Sequence, residues 1–102
     1  MRGLEWTAHA KSKLREHYLS ESKVKRVINF PDRIETGIAP KTVAVMKTAG
    51  SSKNKYEIWA LLYDADEARK VVSAWKYPGV TKPGEPLPQS ILTEFRLNGV
   101  VM

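Results

Sequence analysis

Apolar residues in the first thirty positions recur at helical spacing. Ala10, Leu14 and Tyr18 stand four apart, with His17 beside them, and predict a helix over residues 8–18. Thr7 precedes it as a natural N-cap, a hydroxyl placed to accept from a free backbone N–H. On a helical wheel His9, Lys13 and Glu16 fall on the wet side, while Lys11 and Arg15 flank the apolar stripe. Leu4-Glu5-Trp6, ahead of the cap, has the makings of a short strand. A second helix begins after Ser20, with Leu19 and Val24 spaced as a hydrophobic staple and Val24, Val27 and Ile28 forming its stripe. Pro31 stops it, because the residue before a proline is pushed out of the helical region.

Beyond Asp32 the period changes to two. Arg33 to Gly37 alternates around Ile34, and Ala39-Pro40-Lys41 supplies a turn. Thr42 to Thr48 is rich in β-branched residues, and 50–54 reads as a polar hairpin loop. Tyr56 to Tyr63 is apolar on both faces, the pattern of a central strand. Arg69 to Tyr77 follows an acidic turn and ends at Pro78-Gly79. Short loops between successive strands predict a meander. Residues 79–88, with Pro83, Pro86 and Pro88, read as an extended linker. Ile91, Leu92 and Phe95 suit one face of a short helix that needs a dock, and the sheet face carrying Trp59, Leu61 and Tyr63 offers one. The expected fold is α+β: two N-terminal helices on a mainly antiparallel meander of 3–5 strands, with a short C-terminal helix. The expected organisation is a core over 1–78, a linker over 79–88, and a terminal helix and tail over 89–102 packed on the core.

At 102 residues one core is possible and a second is not. The absence of cysteine excludes disulfides and thiolate metal sites, and two histidines make a histidine-rich metal site improbable. No stretch approaches the ~20 apolar residues that span a bilayer, and no apolar signal segment follows Met1, so the expectation is a cytoplasmic protein without a membrane partner. The formal net charge is +6, and residues 1–30 alone contribute seven Lys/Arg against three Glu. That balance favours phosphate-rich or acidic partners.

The chemistry-bearing residues form loose groups. His9 sits in the first turn of a helix, where the positive end of the macrodipole favours neutral imidazole, a form able to accept a proton from an attacking hydroxyl. The plainer reading is that it bonds nearby backbone. Lys11, Lys13, Arg15, Lys23, Lys25 and Arg26 on the helical hairpin could contact phosphates without reading sequence, or could be an ordinary solvated face. Arg33, Lys76 and Tyr77 could brace a phosphate during RNA cleavage, although pairing of Arg33 with Glu35 explains the former more cheaply. Asp64, Asp66 and Glu67 lack the ligand number and glycine of a cation loop, and neither a metal nor a cofactor is expected. Trp59, Trp75 and Tyr63 read as core.

Trp6-Thr7-x-His9-Ala10, then Lys13-Leu14, then Leu19-Ser20-x-x-x-Val24-x-x-Val27-Ile28-x-x-Pro31 resembles small bacterial domains that open Thr-x-His-Ala-x-x-Arg-Met and sit near the RelE and BrnT toxins. Val71 to Trp75 resembles their closing strand, and the likeness covers residues 4–78. Lys13 replaces the usual Arg, and the long loop 49–55 departs from the pattern. The resemblance implies a toxin-like domain that engages RNA, on the ribosome or off it, and is restrained by an antitoxin. Metal-independent cleavage would use His9 as base, with Arg33 and Lys76 as further candidate catalytic residues. The alternative is a non-catalytic basic module for nucleic acid or an acidic protein.

Overall fold

The computed structural model describes residues 3–36, 41–64 and 68–80. Their elements run β1 (Gly3–Trp6), α1 (Ala8–Glu16), α2 (Glu21–Asn29), β2 (Arg33–Thr36), β3 (Thr42–Gly50), β4 (Lys55–Asp64) and β5 (Ala68–Pro78). The five strands make one sheet in the order β1-β5-β4-β3-β2. β2 to β5 form the expected antiparallel meander, but β1 lies parallel to β5, so the sheet is mixed. Gly79 and Val80 apart, the expected linker over 79–88 and the terminal helix over 89–102 fall outside the described residues.

Both helix starts follow their caps. Thr7 Oγ1 accepts from the Ala10 N–H at 3.1 Å, and Ser20 Oγ accepts from the Lys23 N–H at 3.1 Å. Leu19 and Val24 are both buried in one cluster, as a staple requires. The end of α1 differs from expectation. The helix stops at Glu16, and the chain turns through Tyr18 at φ 55°. The Leu19 N–H donates to the Leu14 carbonyl at 2.8 Å and the Tyr18 N–H to that of Arg15 at 3.4 Å. This is a Schellman closure with tyrosine at the left-handed position where glycine is usual. Leu19, not Tyr18, therefore returns to the core beside Leu14, and Tyr18 stands 88% exposed.

The sheet has two apolar faces. Ala10, Leu14, Leu19, Val24 and Val27 from the helices pack on Val45, Ile58, Ala60, Leu62, Val71 and Ala74. On the other face Ala44, Met46, Trp59, Leu61, Val72 and Trp75 form a second cluster. The register there sets Arg33, Met46, Trp59 and Trp75 in one row across four strands. The two indoles stack in parallel with centroids 5.8 Å apart, and the Arg33 guanidinium lies 5.0 Å from the Trp59 centroid. Glu57, fully buried on the same side, accepts from Trp59 Nε1 at 2.9 Å.

β1 pairs with β5 only as far as Val71. From there α1 runs beside β5 and covers its outer edge, one of the ways a sheet edge is protected. Thr7 ties the junction: its N–H donates to the Val71 carbonyl at 3.1 Å, and its hydroxyl lies 3.1 Å from the Val72 carbonyl. Val72 is the extra residue of a bulge, set between the pairs Leu61–Ser73 and Leu62–Val71. Among the described residues no helix is long and apolar enough to cross a membrane.

Candidate nucleic-acid interface

The wide contact of α1 with β5 settles the fate of two residues placed on the wet side of the wheel. Lys13 is buried, with its ammonium 3.0 Å from Glu16 Oε2. That hydrogen bond and charge hold the Glu16 carboxyl below its ordinary value of 4.5. His9 is half-buried, with Nε2 3.4 Å from the hydroxyl of Ser73, a residue only 1% exposed. So deep a serine cannot meet a substrate, and the His9–Ser73 contact fastens the helix to the bulged strand. His17 serves the same edge: its Nδ1 accepts from the Lys76 backbone N–H at 3.2 Å. Nothing in the sequence period distinguished His17, because its partner lies 59 residues away.

The proposed catalytic set does not assemble. Lys76 sits opposite Ile58 on the helix-bearing face, with its ammonium 5.2 Å from the Tyr56 ring centroid. Arg33 belongs to the opposite face and to the far end of the sheet, beyond β4 and β3 from β5. Three strand spacings of about 4.8 Å separate β2 from β5, whose far edge carries His9. Its Nε is 3.0 Å from Glu35 Oε1, which makes that pair part of the sheet. Among the described residues no group of three or more histidine, aspartate or glutamate side chains could hold a metal ion.

The cations of the helical hairpin fare differently. Lys11, Arg15, Lys23, Lys25 and Arg26 are all exposed, and only Lys13 of the six leaves the surface. At the turn between the helices an open groove of about 500 Å³ is lined by Lys11, Leu14, Arg15, Tyr18, Leu19 and Glu21. Its floor is apolar, its rim carries two cations and one carboxylate, and an exposed aromatic ring stands beside them. No protein-family model, curated protein or solved structure matches this chain. The arrangement must therefore be read on its own chemistry. Cations meet phosphates, and an exposed ring offers a platform on which a base can stack. Tyr18 escaped the sequence reading because its spacing from Leu14 imitates one more helical turn.

Proposed function

We propose that the chain binds single-stranded RNA through the outer face of the α1–α2 hairpin. The carrying observation is the exposed Tyr18 beside Lys11 and Arg15, with Lys23, Lys25 and Arg26 exposed on the next helix. A tyrosine in the left-handed region is a local cost, and such outliers are most often retained where the side chain is used. An acidic protein, an antitoxin included, would meet the same cations, but it would have no particular use for the solvated ring. Binding is the part of a toxin-like reading that the geometry supports. Cleavage would need a cluster around His9, and Arg33 and Lys76 are held elsewhere.

Fluorescence anisotropy with a labelled uridine oligomer, and with a duplex of equal length, tests the proposal. Contact with about three or four phosphates gives a slope of log affinity against log salt near −2 to −3 for a single strand. Lys11→Gln and Arg15→Gln should each flatten that slope. Tyr18→Ala should weaken the single strand by about 1–3 kcal/mol and leave the slope unchanged. The absence of binding at low salt would refute the proposal, as would indifference to all three changes.

A further inference from the structure

We infer that β2 is a self-association edge, through which two copies of this chain pair antiparallel and join their sheets. β2 ends the strand order, and among the described residues no strand pairs with its outer side. Sheet edges are commonly guarded by shortness, proline, a bulge or charged side chains. β2, Arg33-Ile34-Glu35-Thr36, is short and carries two charges, but it holds no proline, and its charges are opposite in sign and already in contact with each other. Instead, two of the four large apolar side chains exposed among the described residues lie on it or just before it, Ile34 at 57% and Phe30 at 68%. Both belong to the helix-bearing side. Ile34 is opposite Val45, a member of the helix-packed core, and the Phe30 carbonyl accepts from Lys47 Nζ at 3.2 Å, two residues along the same face.

The charge pattern of β2 is complementary to itself. Set Ile34 opposite Ile34 of the second copy, and Arg33 then faces Glu35 of that copy while Glu35 faces its Arg33. Both cross-strand pairs are of opposite sign, and the isoleucines meet on the other face. A slip of one residue would put Ile34 against Glu35 or, in the other direction, Arg33, and throw the two helix layers onto opposite sides. The matched register gives an isologous two-fold axis perpendicular to the sheet, with both helical hairpins on one side. An edge this short forms a small interface, so the dimer is a weak one, with a dissociation constant of roughly 10–500 μM.

Sedimentation velocity on the full chain across that concentration range measures it without nucleic acid, so its outcome is independent of RNA binding. The expected result is a mass rising from one chain toward two. Ile34→Lys, a change at an exposed position that sets like charges face to face, should raise the dissociation constant at least tenfold. Arg33→Glu or Glu35→Arg alone should do the same, and the two together should restore dimerisation. If either reversal disturbs the fold by circular dichroism, Ile34→Lys decides the matter alone. A single-chain mass up to about 1 mM overturns the inference, as does a dimer indifferent to Ile34→Lys.

Discussion

Replacing Tyr18 with glycine should make the protein more stable and a poorer RNA binder. Tyr18 holds φ at 55° to close α1, with Leu19 N–H on the Leu14 carbonyl. A side chain in that region costs about 1–2 kcal/mol that glycine avoids. Glycine in turn has more freedom to lose from the unfolded chain, a term of about 0.5–1 kcal/mol. The ring is 88% exposed, so its removal forfeits little burial. The balance is a gain of about 0–1.5 kcal/mol centred on about 0.75 kcal/mol, and at that centre a rise in melting temperature of roughly 3–6 °C for a domain of this size. Thermal unfolding followed by circular dichroism gives the first readout and uridine-oligomer anisotropy the second. A destabilised Tyr18→Gly protein would show that the ring supports the fold and that the helix does not end in this way. A stabilised protein with unchanged RNA affinity would remove Tyr18 from the interface.

Two further outcomes follow from local geometry. Gly50 closes the β3–β4 hairpin at φ 88°, and a Cβ there would run into the Asn54 carbonyl, so Gly50→Ala should cost about 2 kcal/mol or more in urea unfolding; a loss under about 0.5 kcal/mol would mean that the loop rearranges freely. Glu16 titrates below 4.5 because the Lys13 ammonium binds its charged form, so the stability from this contact is present above that pH and fades as acid passes through the lowered value. Lys13→Gln should return the Glu16 titration, followed by carboxyl carbon NMR, toward 4.5, and an unmoved midpoint would reject the pair.

Much of the local structure was legible because its causes are local. Ser20, the Leu19–Val24 staple and Pro31 lie in or within two residues of the helix they define, and α2 runs from Glu21 to Asn29 as they require. α1 was overextended because Tyr18 continues the four-residue spacing, while its actual end rests on backbone bonds that leave no periodic trace. Lys13 was placed in water because a wheel assumes one packing direction, whereas α1 meets both the core and the β5 edge. The parallel pairing of β1 with β5 joins residues about 65 apart and has no local signature. Five of the six hairpin cations are exposed as read, because surface cations on short amphipathic helices need little tertiary information. The catalytic grouping depended on register, and register decides the face. Once Arg33 shares a row with Trp75, the next residue on β5, Lys76, must face the other way.

This division of the sheet bears on where a polyanion would meet the protein. The cations of the strands are largely drawn into local contacts: Arg33 with Glu35, Lys47 with Asp32, Arg69 with Asp64, and Lys76 over Tyr56. In the helical hairpin Glu16 is engaged by the buried Lys13, which leaves Glu21 as the carboxylate beside five exposed cations. Residues 8–30 thus supply +4 of the net +6, six Lys/Arg against two Glu, and five of those six cations are exposed. A chain approaching from solution meets that potential first, within a Debye length of about 8–10 Å at physiological salt. Pairing through β2 would set two such surfaces side by side, and a strand long enough to reach both would gain affinity from linkage with no new contact. RNA length therefore becomes an informative variable: affinity that steps up beyond one hairpin's span, and loses that step in Ile34→Lys, would tie the basic surface and the sheet edge into one device.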